Sequence, residues 1–353
     1  MSSLHGAITA MAPAKVILCG EHAVNRGQPA LALSVGLFAT CTLRFAERQG
    51  DDEQYCFEGT DQTHHTTRDA ILELARMLDR HRANDDYAAI QWIAAHDFYA
   101  PAKYVLAAAG ETLPQSLTIG FTNRIPPSAG LGSGGATFVA LAAALARLLE
   151  QDDPRLIATW AHRGDVVAHG GIASGLDTQT SLYGGAVRYT ADSGAEQVPY
   201  HPGLSLVIGH SGVIAATSAV NERVRGWLAA QPSRIHYFHE IGLIARLAES
   251  ALASGDWQQL GHLLNLNHLL LQQIGVSCSE LDTLVNASLD AGALGAKLSG
   301  SGGGGIMVAL TMPDRSAHVA TAITAAGGAA IVTPISVPGV TLQMPEHAAP
   351  RHG

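Results

Sequence analysis

The sequence predicts an α+β protein with two domains, on three observations. Its 353 residues exceed what one hydrophobic core usually covers, and 47% of them are hydrophobic, which is ample for two cores. Strand-like runs are concentrated near the start, whereas helical periodicity dominates residues 218–291. A polar, turn-rich stretch at residues 192–202 separates these parts. We therefore expect domains at residues 1–195 and 196–343, followed by a loose tail at residues 344–353.

The composition excludes several classes of protein. A net charge of −9, from 21 Lys and Arg against 30 Asp and Glu, argues against a nucleic-acid or anionic-membrane partner. The four cysteines lack the paired spacing of a zinc site or a disulfide framework, which fits a reducing cytosol. No apolar run approaches the ~20 residues of a membrane span, and the first residues lack a signal-peptide pattern. We expect a soluble cytoplasmic protein.

The first strand is predicted at residues 12–18, and it contains Lys15. A lysine within an apolar strand either points to water from a sheet edge or directs a cation into a site. A polar turn follows at residues 20–24, and residues 29–45 are rich in strand-forming residues, which predicts one or two further strands. Helical patterns at residues 66–81 and 87–110 are expected to cover the resulting sheet.

A glycine-rich stretch at residues 125–136, IPPSAGLGSGGA, connects a strand predicted at residues 115–121 to a helix. Glycines lack Cβ, so backbone N–H groups can converge on a phosphate at the positive end of that helix. Three of the glycines formally match the dinucleotide-binding fingerprint, but a Pro-Pro pair separates them from the strand, and no lysine follows as in a P-loop. The alternative is a helix start that binds nothing.

The chain then predicts a helix at residues 155–167, which Asp153 caps and Pro154 opens. A second glycine-rich loop at residues 170–177 ends in Asp177, and a strand is predicted at residues 180–190. An aspartate in such a loop is either a turn or helix-cap residue or a functional group.

The second half predicts an α+β domain with an antiparallel sheet. Its predicted strands are residues 204–209, 306–310 and 330–337, and its predicted helices are residues 218–228, 237–254, 256–274, 280–291 and 315–326. A third glycine-rich loop, at residues 297–305, has no bulky side chain between Leu298 and Ile306. It suits close approach to a ligand or to the other glycine loop, and a flexible surface hairpin is the alternative.

Taken in order, these motifs resemble those of the GHMP kinases, the family named for galactokinase, homoserine kinase, mevalonate kinase and phosphomevalonate kinase. The resemblance rests on APAKVILCGEHAV at residues 12–24, the stretch at residues 126–136, Ser-Gly-Leu-Asp at residues 174–177 and the loop at residues 297–305. Gly-Glu-His-Ala-Val and residues 265–277 look like the mevalonate kinase branch. The implied fold has an N-terminal ribosomal-protein-S5-domain-2-like α/β domain and a C-terminal ferredoxin-like α+β domain.

The resemblance also implies an activity, the ATP-dependent phosphorylation of the C5 hydroxyl of mevalonate to 5-phosphomevalonate for isoprenoid precursors, with Mg²⁺ as cofactor. Asp177 would accept the proton of the attacking hydroxyl, and Lys15 would hold Asp177 ionised and stabilise the transferring oxygens. Glu21, His22 and Ser299 would bind the substrate. A cytoplasmic homodimer is implied as well.

The implied nucleotide and metal sites share two of the glycine loops. The nucleotide-binding residues would be Pro127, Ala129, Gly130, Leu131, Gly132, Ser133, Gly134, Gly135, Ala136, Gly300 and Ser301. The metal ligands would be Ser133 and Asp165. Two departures concern the metal: Gly134 replaces the second serine of the usual motif, and Asp165 is one methylene shorter than the usual glutamate. Mg²⁺ keeps several waters in its octahedral shell, so few protein ligands can suffice.

Three alternatives remain open. Another kinase of the family would act on phosphomevalonate, a sugar or an isoprenoid alcohol, although few basic residues near the proposed substrate loops disfavour a phosphorylated substrate. A non-catalytic metabolite sensor could share the fold, but it would need neither Lys15 nor Asp177. A nicotinamide-dependent dehydrogenase is the last.

Overall fold

The structure is a computed structural model that describes residues 7–45, 54–59, 63–126, 130–214 and 216–343. Its strands are β1 Ile8–Cys19, β2 Ala30–Phe45, β3 Tyr55–Glu58, β4 Thr63–Thr66, β5 Leu117–Asn123, β6 Ala186–Thr190, β7 Gly194–Val198, β8 Ser205–His210, β9 Gly295–Ser299, β10 Ile306–Thr311, β11 Ala329–Val332 and β12 Thr341–Gln343. Its helices are α1 Arg68–Ala83, α2 Tyr87–His96, α3 Ala100–Leu106, α4 Ser133–Leu148, α5 Pro154–Ala168, α6 Leu176–Tyr183, α7 Thr217–Ala230, α8 Ile235–Ser254, α9 Trp257–Ile274, α10 Ser279–Asp290 and α11 Ser316–Ala325.

The first sheet is built around β2, which is 16 residues long. One edge of β2 pairs with β1, and its other edge pairs first with β6 and then with β5. The strand order is β12-β1-β2-β5-β3-β4, with β7 added to β6. Helix α4 packs on β1 and β2, and α5 packs on α4. This arrangement brings the N-terminus of α4 against the middle of β1.

Several predictions for this half are confirmed. Residues 12–18 form part of β1, and residues 29–45 form a single strand. Since β1 lies between β12 and β2, and Lys15 is 3% exposed, an edge lysine that points to water is excluded. The side chain of Asp153 caps α5 by accepting from Arg155 N at 2.9 Å.

Two other predictions for this half were wrong in part. The helical pattern at residues 87–110 breaks into α2 and α3, with a 3₁₀ segment at Ala107–Thr112. The strand predicted at residues 180–190 starts only at Ala186, because residues up to Tyr183 belong to α6. Asp177 therefore lies in the first turn of a helix.

The second sheet is antiparallel, as the sequence predicted, and its strand order is β11-β8-β10-β9. Helices α9, α10 and α11 pack on its strands, and no helix in the described ranges is long and apolar enough to cross a membrane. The sequence analysis missed β9, whose five residues are all buried, because it assigned residues 297–299 to the glycine loop.

The chain passes from the first sheet to the second and then returns to the first, so one boundary in sequence does not separate the two sheets. The segment read as a linker at residues 192–202 contains β7, which forms a hairpin with β6 and spans the predicted boundary between residues 195 and 196. After β11, the chain returns to the first sheet, where β12 pairs with β1. The division into domains 1–195 and 196–343 stays a prediction, and the predicted tail at residues 344–353 lies outside the described residues.

Side chains of α9 close the outer edge of β9. Ala296 N donates to Asn265 Oδ1 at 2.9 Å, and Leu298 N donates to His268 Nδ1 at 3.3 Å. An open strand edge would leave these N–H groups without partners. Since His268 Nδ1 accepts a hydrogen bond, its ring is neutral, with the proton on Nε2 at 3.2 Å from Asp282 Oδ1. Burial lowers the pKa of His268 to about 4.

This histidine predicts a pH dependence of stability. A histidine in an unfolded chain has a pKa of about 6.5, so the unfolded state binds more protons between that value and the lower folded pKa. The stabilisation is therefore complete above pH ~6.5 and is lost as the pH falls towards about 4. Urea unfolding across this range should show a steeper decline for the native protein than for His268→Gln, whose amide does not titrate. Equal declines would contradict the assignment.

Candidate active site

The centre of the site is an ion pair between β1 and α6. Lys15 Nζ lies 3.1 Å from Asp177 Oδ1 and donates to Gly130 O at 3.3 Å. The backbone N–H of Lys15 also donates to Leu131 O at 3.0 Å. Lys15 is 3% exposed, whereas the Asp177 side chain is 22% exposed. The lysine is therefore a buried cation directed into a site, and the carboxylate can be reached from outside.

Two glycines let the start of α4 approach this pair. A Cβ on Gly132, whose φ is +71°, would lie 3.0 Å from Lys15 Cε. A Cβ on Gly135 would lie 2.9 Å from Asp177 Cβ. Larger residues at either position would push the helix away from the charges. The start of α4 therefore lies against the ion pair, and the N-terminus of a helix suits an anionic ligand.

The first and third glycine loops touch each other. A Cβ on Gly130 would lie 3.4 Å from Ser299 O, and one on Gly300 would lie 3.6 Å from Gly130 Cα. The expected approach of the third loop to the other glycine loop is confirmed. The predicted nucleotide-binding residues from Gly130 to Ala136 form the entry and first turn of α4. Pro127 and Ala129 lie outside the described residues.

Glu21 forms a buried ion pair that the sequence analysis missed. Its partner is Lys297 of β9, whose Nζ also donates to Leu298 O. Glu21 and Lys297 are 1% and 0% exposed, and Glu21 Oε2 is buried without a hydrogen-bond partner. Burial raises the pKa of Glu21, against the opposing effect of Lys297 and, more weakly, Lys15. The available signal was Lys297 itself, a charge between Ala296 and Leu298 of the kind that identified Lys15.

His22 follows Glu21 in a strained backbone conformation, with a φ of +60°. Its Nε2 donates to Ser301 O at 2.9 Å, and its carbonyl accepts from Arg26 Nη1 at 2.7 Å. Burial lowers the pKa of His22 to about 4, and the positive charges of Arg26 and Arg223 act in the same direction. The expectation of few basic residues near the substrate loops was wrong, since Arg223 comes from the distant helix α7.

Ser299 ties the two sheets together. Its Oγ accepts from Ile17 N at 2.9 Å and donates to Ile17 O at 3.0 Å. The residue is 1% exposed, so its hydroxyl is engaged with backbone rather than open to solvent. The predicted role of Ser299 in substrate binding stays a prediction that this position does not support.

The predicted metal ligands lie on two neighbouring helices, α4 and α5. Asp165 is 2% exposed, and its Oδ1 is buried without a hydrogen bond, although His169 Nδ1 lies 3.2 Å away. The charge of Asp165 raises the pKa of His169 to about 10. Ser133 Oγ accepts from Asn123 Nδ2 at 2.8 Å and keeps a free lone pair. No three His, Cys, Asp or Glu side chains in the described ranges gather into a metal cluster.

Both halves of this architecture match one family. The model of the GHMP kinase N-terminal domain matches residues 98–185, and that of the C-terminal domain matches residues 248–329. The chain belongs to the GHMP kinase family, and the predicted two-domain α+β fold is confirmed.

Several of the proteins that this chain resembles are mevalonate kinases. The mevalonate kinase of Thermococcus sibiricus is 34% identical over 95% of this chain and 98% of its own length. Human mevalonate kinase is 29% identical over 94% of this chain and 93% of its own. The crystal structure of L. major mevalonate kinase with R-mevalonate has a TM-score of 0.71 at 26% identity, covering 93% of this chain and 95% of that one. Lactococcus lactis galactokinase with galactose, at 17% identity and a TM-score of 0.75 over 95% of each chain, shares the fold.

The close approach at Gly135 predicts the effect of adding a methyl group. Alanine is normally favoured over glycine in a helix by ~1 kcal/mol. In Gly135→Ala, however, the new Cβ would meet Asp177 Cβ at 2.9 Å and its backbone carbon at 3.1 Å, so we expect a loss of about 1–3 kcal/mol in the free energy of unfolding.

Gly134→Ala is the matched control for this substitution. Among the described residues, its Cβ would meet Phe138 Cε2 alone, at 3.4 Å, so this variant should unfold at native or higher denaturant concentration. Chemical denaturation measures both variants, and an equal loss in the two would contradict the packing argument.

Proposed function

We propose that this chain, an ATP-dependent kinase by family, phosphorylates the C5 hydroxyl of mevalonate to give 5-phosphomevalonate. The observation that carries the proposal is the Lys15–Asp177 pair beneath the glycine-rich start of α4. It supplies a proton acceptor, a cation and converging N–H groups in one place. Relatives named mevalonate kinase that match 95% of the chain support the choice of substrate.

Asp177 and Lys15 would have different roles in the transfer of the phosphoryl group. The substrate oxygen attacks the γ-phosphorus of ATP as the bond to the ADP oxygen breaks, and the hydroxyl proton passes to the Asp177 carboxylate. The Lys15 ammonium, 3.1 Å from Asp177 Oδ1, would stabilise the negative charge that develops on the transferring oxygens. Because an aspartate is a weak base, its contribution comes mainly from position.

The two touching glycine loops would hold the nucleotide phosphates. The backbone from Gly130 to Gly135 would supply N–H donors at the positive end of α4, whereas Ala136 N already donates to Gly132 O. Gly300 and Ser301 would contact the phosphates from the third loop, and Ser301 Oγ lies 3.3 Å from Thr217 Oγ1, so α7 would support that loop.

Mg²⁺ is the proposed cofactor, and the residues present fit it. Asp165 Oδ1 accepts no hydrogen bond from the described residues but lies 3.2 Å from His169 Nδ1, and Ser133 Oγ keeps a free lone pair. These are two hard oxygen donors on adjacent helices. Mg²⁺ commonly takes only one or two protein ligands and completes its shell with water and phosphate. When bound, the ion would neutralise charge on the phosphate oxygens.

The substrate would bind at the turn that carries Glu21 and His22. Arg26 donates a hydrogen bond to the carbonyl of His22, and the charge of Arg223 acts on the His22 ring. These two positive charges would attract a substrate carboxylate to the turn. The same two arginines favour a second candidate, phosphomevalonate, whose phosphate they could also attract.

We also propose a cytoplasmic homodimer, as the family resemblance implies. The support in this chain is a set of exposed leucines on the paired helices α8 and α9, namely Leu243, Leu247, Leu266 and Leu269. Apolar side chains exposed together are typical of surfaces that contact another protein.

A coupled ADP-release assay with ATP and Mg²⁺ tests the substrate directly. The panel is mevalonate, phosphomevalonate, galactose and homoserine. Turnover with mevalonate alone is the expected result, and turnover with phosphomevalonate alone would establish the second candidate. ATP binding without turnover of any alcohol would favour a metabolite sensor and would overturn the proposal.

Removing the proposed proton acceptor should abolish the chemical step while leaving binding intact. We expect Asp177→Asn to lower kcat by roughly 10²–10⁴-fold, because general base catalysis by a positioned side chain typically accelerates a reaction by that factor. The dissociation constant of a fluorescent ATP analogue should change little. Steady-state kinetics and fluorescence titration measure the two quantities, and native turnover in this variant would remove Asp177 from the mechanism.

A further inference from the structure

The first sheet and the third glycine loop are joined by three contacts at the site. Lys297 pairs with Glu21, and Ser299 exchanges two hydrogen bonds with Ile17. The carbonyl of Ser301 accepts from His22. The partners are 276 to 282 residues apart in sequence, so they belong to opposite ends of the chain. Lys297 and Ser299 point to the same side of β9, as alternate residues of a strand do.

The Glu21–Lys297 pair differs from the other two contacts because both of its partners carry charged groups that are buried. Removing two charges from water costs several kcal/mol per ion, and their attraction repays this cost only when both partners are present. A substitution that removes either partner therefore leaves an uncompensated charge inside the protein. Burying the Lys297 ammonium therefore costs free energy that the packing of its side chain does not explain.

Among the described residues, the charged groups that act on Glu21 are Lys297 of β9 and Lys15 of β1. Glu21 in turn acts on Cys19 of β1, and His22 follows it in the chain. Burial raises the pKa of Cys19 to about 12 and lowers that of His22 to about 4, so both groups are neutral near pH 7. Lys297 is the described side chain that hydrogen-bonds to the Glu21 carboxylate, whereas Lys15 is engaged with Asp177. Burial raises the pKa of Glu21, and Lys297 is the strongest opposing influence.

We propose that Lys297 is a positioning residue of this active site: it keeps the Glu21 carboxylate ionised, and this charged link holds the turn at residues 20–24 against the third glycine loop. The turn carries His22, and the strand before it carries Lys15, so the link sets both relative to the nucleotide loop. The strained φ of His22 is maintained between this link and the hydrogen bond to Ser301. The inference rests on the proposed function of the site.

The first test is the pH profile of kcat/KM in Lys297→Met. Without the ammonium, the pKa of the buried Glu21 should rise further, because a neighbouring cation typically lowers the pKa of a carboxyl by 1–3 units. The acidic limb of the profile should therefore move to higher pH by about 1–3 units. A purely structural lysine would lower activity at all pH values without moving the limb, and that result would overturn the proposal.

Lys103→Met is the matched control. Lys103 is also a buried lysine, 6% exposed, and its Nζ pairs with Asp97 Oδ2 at 2.8 Å, in a part of the protein outside the proposed site. This variant should lose stability as Lys297→Met does, with the acidic limb unmoved. Equal shifts in both variants would show that the limb reports general destabilisation, which would overturn the proposal.

A double variant keeps the test decisive if Lys297→Met fails to fold. Glu21→Gln with Lys297→Met removes both charges, and a buried ion pair replaced by neutral groups often costs little stability. We expect this protein to fold and to bind the ATP analogue normally. Its KM for the alcohol should rise by roughly 10–100-fold, because the turn is no longer held. Native kinetics in the double variant would overturn the proposal.

Hydrogen–deuterium exchange separates this inference from the proposed function. In the double variant, amides of residues 20–24 and 300–305 should exchange faster than in the native protein, with or without turnover of any substrate. Faster exchange in a protein that phosphorylates no alcohol would retain the link and reject the proposed substrate. Unchanged exchange in a protein that phosphorylates mevalonate would reject the link and retain the substrate.

Discussion

The organisation of the site depends on a lysine that is buried in the middle of a strand. An ammonium group that is 3% exposed requires an anion beside it, and Asp177 supplies that anion from the first turn of α6. The two side chains can meet only if the start of α4 leaves room, which it does because residues 132 and 135 are glycines. The glycines therefore serve two purposes at once. They admit the ion pair, and they leave the helix N–H groups open to an anionic ligand.

A second buried lysine, on the other sheet, also pairs with a carboxylate. Lys15 belongs to the first sheet, whereas Lys297 belongs to the second sheet and pairs with Glu21, just after the first strand. Lys15 lies against the first glycine loop and Lys297 precedes the third, whereas the buried Lys103 pairs with Asp97 outside the site. Lys15 and Asp177 both belong to the first half of the chain, whereas the Glu21–Lys297 pair joins β9 of the second sheet to the turn after β1. Removing one partner of such a buried pair would leave an uncompensated charge inside the protein.

The charge states of the histidines follow from the same burial. His22 and His268 both accept or donate one specific hydrogen bond and are neutral, with pKa values lowered to about 4. His169 has the opposite shift, to about 10, because the buried carboxylate of Asp165 lies beside it. Identical side chains thus carry different charges, because burial outweighs the nearby Asp282 carboxylate at His268, whereas the Asp165 carboxylate outweighs burial at His169.

The sequence by itself determined the α+β class, most of the helices, the first strand, and the order of the three glycine loops, because hydrophobic periodicity and glycine are local signals. Lys15 and Asp177 also stood out, since a charge in an apolar strand and an aspartate at a glycine loop are visible one residue at a time. Lys297 stood in an equally visible position but was assigned to the loop that follows it.

Only the tertiary structure decided what these residues face. It showed that β12 returns to the first sheet, that Ser299 is engaged with Ile17, and that the charge of Arg223 acts on the ring of His22. Each of these facts joins parts of the chain that lie far apart in sequence. Pairing of that kind is set by the packing of whole sheets and helices, which no local pattern of residues records.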